Sequence, residues 1–249
     1  MKPILMLFLL SIQVSVLAQP LSHGYAVVED ADGYVNLRVD AHAQAKVLAA
    51  IPNGTPLSCS MDQSDNPSLC AVALDGRENF GFIHRSRLVF LDQDRAFTKV
   101  ALQTRTQHSA VYQEGQVKVK VSIAPVALDK KGYATKTDQH NVMRTMYQGQ
   151  IMYGTDNEII DAAYGYADIQ VTVDGHTAQV PQSQLTSLII PTYSVMDDSV
   201  FDHVSVYYHP QRQHLYVFST QADGAAMYTA VFEFKNHQFV RKSLWLASM

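Results

Sequence analysis

The strongest constraint in this chain is a two-residue rhythm of apolar and polar side chains, broken at short intervals by turn formers. It runs through "YAVVED" (25–30), "YVNLRV" (34–39), "KVLAAI" (46–51) and "GFIHRSRLVFL" (81–91). It returns in "QVKVKVSIAPVAL" (116–128), "ADIQVTVDGHTAQVP" (167–181) and "VSVYYHPQRQHLYVFST" (204–220). A period of two places alternate side chains on opposite faces of a strand, whereas a helix needs apolar residues three and four apart. Asp174-Gly175 and Asn236-His237 fall at the midpoints of such runs, where two-residue hairpin turns belong. The chain is therefore expected to be all-β. It divides into a small N-terminal barrel over 24–91, a connector over 92–115 that runs as a strand or short helix, and a second antiparallel β-rich domain over 116–249 with little helix. The one helical candidate is "PQSQLTSLII" (181–190), which carries proline at a first-turn position. Along 228–234, Tyr228, Ala230, Phe232 and Phe234 alternate with Thr229, Val231 and Glu233, which predicts a sheet with one clearly buried side.

The N-terminus, "MKPILMLFLLSIQVSVLAQP", has a positive start at Lys2, an apolar core from Ile4 to Val16 and, in Val16-Leu17-Ala18, small residues at the two positions a signal peptidase reads, the pattern of a signal peptide cut near Ala18. A membrane span needs about 20 apolar residues, and this run is shorter and interrupted by Ser11, Gln13 and Ser15. Gln19 follows the cut, so there is no lipoprotein cysteine. The mature chain is expected to be periplasmic or secreted, with no membrane insertion after cleavage. Loss of Lys2 moves the net charge from −4 to −5, which leaves no electrostatic footprint for nucleic acid or anionic lipid. At 47% hydrophobic residues the chain can bury real cores.

Cys59 and Cys70 lie in "PLSCSMDQSDNPSLCAVAL", where the turn formers "MDQSDNPS" separate two alternating arms. Cysteines on the two arms of such a hairpin can face each other at bonding distance, and an exported chain meets an oxidising environment, so a Cys59–Cys70 disulfide is expected.

Residues 25–91 resemble the bacterial SH3 domain. The resemblance rests on Asn36-Leu37-Arg38, on the strand and turn from Val47 to Thr55, and on the closing Gly81-Phe82-Ile83-His84. It covers a little over a quarter of the chain. Asp40 to Ala43 replace the family's Gly-Pro, Phe82 stands for the closing tryptophan, and the tryptophan of the middle strand is absent, with Leu69 and Cys70 near its place. The resemblance implies a small barrel with one open face that binds peptidoglycan peptides or protein segments. By position, Tyr34, Arg38, Asp40, Phe82 and His84 are the ligand-binding candidates, with aromatic area and a guanidinium suited to a carboxylated peptide. The later stretches "YGTDNEIIDAAYGYADIQ" and "ADGAAMYTAVFEFKNHQFVRK" are similar to an uncharacterised β-rich C-terminal domain of exported bacterial proteins.

Catalytic signatures are sparse. No cysteine follows Cys70, so a papain-like pairing of cysteine and histidine has no nucleophile. The ten histidines are scattered, and His209 and His214, flanking "PQRQ", lack an acidic third ligand, so no metal site and no cofactor are expected. There is no G-x-S-x-G elbow and no phosphate-binding glycine loop. The paired-carboxylate chemistry of a wall-active glycosidase needs no sequence signature, and Asp156, Glu158, Asp161, Asp168, Asp197 and Asp198 supply acids, though in turn-like contexts.

A non-catalytic binding protein is the expected function, recognising a protein partner or a cell-wall peptide. The alternative is a periplasmic immunity or inhibitor protein that occludes a secreted toxin or wall-degrading hydrolase. Under either reading, aromatic stretches such as "SVYYHPQRQHLYVF" and "IMYGTDNE" are candidate contact surfaces.

Overall fold

The computed structural model describes residues 23–60, 66–72, 81–137, 143–160, 162–222 and 226–246; the expected leader lies outside them. The chain is all-β, built from antiparallel sheets. Seven strands open it: β1 (His23–Val28), β2 (Tyr34–Arg38), β3 (Val47–Pro52), β4 (Pro56–Ser60), β5 (Leu69–Val72), β6 (Gly81–His84) and β7 (Leu88–Phe90). They form one sheet in the order β3-β2-β6-β5-β4-β1-β7, curled into a half-barrel. Alternation decides its inner face, with Val35, Leu37, Leu57, Cys59, Cys70, Val72 and Ile83 all buried. Cys59 and Cys70 form the expected disulfide between β4 and β5, with Cα atoms 5.3 Å apart.

Residues 92–115 carry three strands, β8 (Thr98–Val100), β9 (Leu102–Thr106) and β10 (Ser109–Glu114). They are followed by β11 (Val117–Ala127), the ribbon β12 (Tyr133–Thr137), β13 (Met143–Tyr147) and β14 (Gln150–Ile151), then β15 (Ala162–Val173), β16 (His176–Gln179) and β17 (Ile189–Ile190). Strands β16-β15-β11-β10-β9 form the second sheet, with β17 added on β15. The last strands, β18 (Val204–His209), β19 (His214–Gln221), β20 (Tyr228–Lys235) and β21 (Gln238–Leu246), form a five-stranded sheet in the order β21-β20-β19-β18-β8. Both expected hairpin turns are present, and Asp174, Gly175, Asn236 and His237 all take positive φ, as a type I′ turn requires at its two central residues.

The five-stranded sheet is the middle of three layers. One face, with Val206, Leu215, Val217, Ala230, Phe232 and Phe234, packs on Val119, Val121, Ile169 and Val171 of the second sheet. Its other face, with Tyr207, Tyr216, Phe218, Val231 and Trp245, shares a core with the half-barrel. The expectation of one buried side for this sheet is thus corrected, because the half-barrel covers the face that Thr229 and Glu233 mark as polar. The aromatic stretch 205–218 is corrected with it. Tyr207, Tyr208, Leu215, Tyr216, Val217 and Phe218 are buried, so the aromatic strands of this segment are core and only the turn over 210–213 is exposed.

Polar groups stitch the half-barrel to the middle layer. Arg212 donates to both carboxylate oxygens of Glu29, at 3.0 and 2.6 Å. Tyr25 Oη meets Thr220 Oγ1 at 2.9 Å and Tyr207 donates to Asp92 at 2.8 Å. His209 and His214 do face each other across β18 and β19, but each is used structurally. His209 Nδ1 accepts from the Arg212 amide, and His214 Nε2 lies 2.7 Å from Glu233, whose second oxygen accepts from Arg241 at 2.6 Å.

The expected helix over 181–190 is a single 3₁₀ turn, Gln182–Gln184, running into β17. Ile189 and Ile190 are β-branched and pair with Gly165 and Tyr164 of β15, which suits them better than the end of a short helix. The one α-helix among the described residues, α1 (Thr192–Met196), follows Pro191.

Candidate functional site

β2 sets the site. Val35 and Leu37 turn into the barrel core, so Tyr34, Asn36 and Arg38 share its outer face. β6 meets β2 where Phe82 sits opposite Arg38, and the same alternation buries Ile83 and leaves Phe82 and His84 on the outside. Gly81 permits this approach. A Cβ there would lie 2.3 Å from Leu37 Cγ, and Leu37 is fully buried. The loop after β2 then adds Asp40 and His42.

These residues line an open cavity of about 590 Å³ on the half-barrel. All five sequence candidates, Tyr34, Arg38, Asp40, Phe82 and His84, border it. Sequence reasoning missed other parts of the wall, among them Asp30 and Asp32 from the turn before β2, Asn66 and Ser68 from the loop leading into β5, and Arg87 after β6. The turn formers in "EDADG" just ahead of Tyr34 were the available signal for the two aspartates. Phe82 is only half-buried and lies outside the barrel core.

The polar groups of the cleft differ in how free they are. Asp30 is committed. It pairs with Arg87, accepts from the Asp32 amide at 2.9 Å, and its backbone is held on both sides by the Asn53 side chain. The amide hydrogen bond from Asp32, reinforced by Arg87, holds its carboxyl below the usual aspartate range. Arg38 donates through Nη1 to the Ala45 carbonyl at 2.7 Å, which ties the guanidinium to its own loop. His84 Nδ1 accepts from the Ser86 amide and lies 2.8 Å from the Ser86 hydroxyl, capping the 3₁₀ turn Arg85–Arg87. Asp32, Asp40 and Tyr34, by contrast, are exposed. Among the described residues neither Asp32 nor Asp40 has an ion-pair partner, and Asp40 accepts from its neighbour's amide, Ala41, at 2.6 Å.

The cleft brings together two half-exposed or exposed aromatic rings, a fixed guanidinium and exposed carboxylates around a concave floor. Among the described residues no group of three His, Cys, Asp or Glu side chains is placed to hold a metal ion. Of the acids named for paired-carboxylate chemistry, Asp168 accepts from Gln179 and Asp198 pairs with Arg105, while Asp161 lies outside the described residues. Among those residues no helix is long and apolar enough to cross a membrane. No protein-family model, no curated protein and no solved structure matches this chain, so the reading of the cleft rests on its own geometry.

Proposed function

We propose that this chain is an exported, non-catalytic binding protein whose half-barrel, a bacterial SH3-type module, holds a segment of a partner protein or a cell-wall peptide in the cleft bordered by Tyr34, Arg38, Asp40, Phe82 and His84. The observation that carries this reading is the convergence of those five side chains, from two strands and a loop, on one cavity of about 590 Å³. That is the size of a pocket able to enclose a small ligand or a few side chains. The leader-like N-terminus and the Cys59–Cys70 disulfide favour a periplasmic or secreted location. The two deeper sheets serve in this reading as the rigid base on which the cleft is mounted.

The test uses the full chain without residues 1–18. It is mixed with purified peptidoglycan sacculi and, separately, used as bait against periplasmic protein. Retention by either, lost on Tyr34→Ala or Arg38→Ala with the thermal transition unchanged, supports the proposal. Retention that ignores both substitutions overturns the cleft as its site.

A further inference from the structure

The cleft's charges select its ligand. Of its two arginines, Arg87 is matched by Asp30 and Arg38 is bound to the Ala45 carbonyl. Of its three aspartates, Asp30 is used, while Asp32 and Asp40 have no cationic partner among the described residues. The hydrogen bond to a neutral carbonyl leaves the Arg38 charge in place, so the two arginines and three aspartates of the lining sum to one net negative charge, and a carboxylated peptide, the guest that Arg38 suggests in the sequence, meets net repulsion. Beside these carboxylates, Tyr34 is 46% exposed, and Phe82 and Leu69 supply apolar floor. A carboxylate next to an open aromatic ring and apolar wall matches a long cationic side chain, whose methylenes pack on the wall while its head meets charge and ring face.

Resting on the reading of this cleft as a binding site, we propose that it takes lysine or arginine side chains from an extended, basic segment of a partner protein. Asp32 and Asp40 meet the cations, and Tyr34 and Phe82 cover the stems. The chain's own net charge of −4 acts in the same direction by attracting a basic partner. Arg38 then serves as a fixed wall and hydrogen-bond donor, since its one committed Nη1 leaves other N–H groups for a peptide carbonyl.

The test is a backbone-amide NMR titration of the chain lacking residues 1–18 with four probes: acetyl-Lys-Lys-Lys-amide, acetyl-Glu-Glu-Glu-amide, free cadaverine and a disaccharide-tetrapeptide muropeptide. The lysine peptide is expected to shift the amides around Asp32, Tyr34, Asp40 and Phe82. Binding is expected to weaken about five- to tenfold in Asp32→Asn/Asp40→Asn, the loss of two partly exposed charge contacts, and to fall as salt is raised. Tyr34→Leu, which keeps both charges, is expected to weaken it too, so the result does not depend on one variant folding. If the glutamate peptide or the muropeptide shifts the cleft and the lysine peptide does not, the cationic ligand is overturned while the cleft remains a binding site. If cadaverine binds as tightly as the peptide, a protein segment is overturned as the source. If no probe shifts the cleft, the reading of the cleft falls with it.

Discussion

Phe218 sits where the half-barrel meets the middle sheet, and Phe218→Ala tests whether those two layers are one folding unit. Its ring stacks on Tyr25 of β1 at 4.1 Å between centroids and lies within 5.9–6.2 Å of Tyr207, Tyr216 and Trp245. Phe218 is completely buried. Truncating a buried phenylalanine costs about 3–5 kcal/mol, and the loss of several aromatic pairs places this site at the upper end, about 5 kcal/mol. Total stability is on the order of 5–15 kcal/mol, so the variant should be severely weakened but foldable. With a urea slope of about 3 kcal/mol per molar, the midpoint should fall by about 1.7 M. Unfolding is followed by far-ultraviolet circular dichroism, which reports all strands, and by fluorescence of Trp245, the single tryptophan, which packs at this joint. A shared core predicts one coincident transition by both probes in the parent, moved as a unit in the variant. Two separate transitions, with the variant shifting only one, would refute the shared core.

Gly81→Ala should cost about 1–3 kcal/mol by overpacking, because its Cβ would sit 2.3 Å from Leu37 Cγ. Differential scanning calorimetry should show a lower melting temperature, and ligand binding in the cleft should weaken as β6 is pushed from β2; an unchanged transition contradicts the close approach. Reducing Cys59–Cys70, or replacing both by alanine, releases a loop of sequence separation 11 and should cost about 3 kcal/mol through unfolded-state entropy, read as a lower urea midpoint. Burial pushes the Glu233 carboxyl up, but His214 and Arg241 together outweigh it and leave its pKa below that of an ordinary glutamate. Unfolding therefore takes up a proton in acid, so this contribution is complete above the unfolded glutamate range and declines as pH falls towards the folded value. Glu233→Gln should lower stability at neutral pH and flatten the acid limb of a stability–pH curve, and an acid limb of unchanged slope counts against the assignment.

The neighbourhood of Tyr34, Arg38, Phe82 and His84 was legible in the sequence through the SH3 resemblance and the local alternation of β2 and β6. Tyr34, Arg38, Phe82 and His84 lie on outer faces that alternation alone assigns, once Leu37 and Ile83 are taken as core. The sequence could not show that Asp30 would be consumed by Arg87, 57 residues away, or that Arg38 would be tied to Ala45. With Asp30 and Arg87 cancelling each other, Asp32 and Asp40 outnumber Arg38, which leaves the cleft net negative.

Strand periodicity, the hairpin turns at Asp174-Gly175 and Asn236-His237, and a disulfide across one hairpin all follow from short-range geometry. Alternation is a property of the extended backbone, and a two-residue turn needs only residues that tolerate positive φ. Tertiary structure alone decided which sheet each run joined, with β8 drawn to β18 while β9 and β10 pair with each other and β11. It also decided that the five-stranded sheet is covered on both faces. Glu233 shows why: in the sequence it marks a polar, outward face, yet in the fold it is 6% exposed, held between His214 and Arg241 on neighbouring strands. A charge can occupy a buried face when partners from other strands satisfy it, and those partners are set by packing over long range.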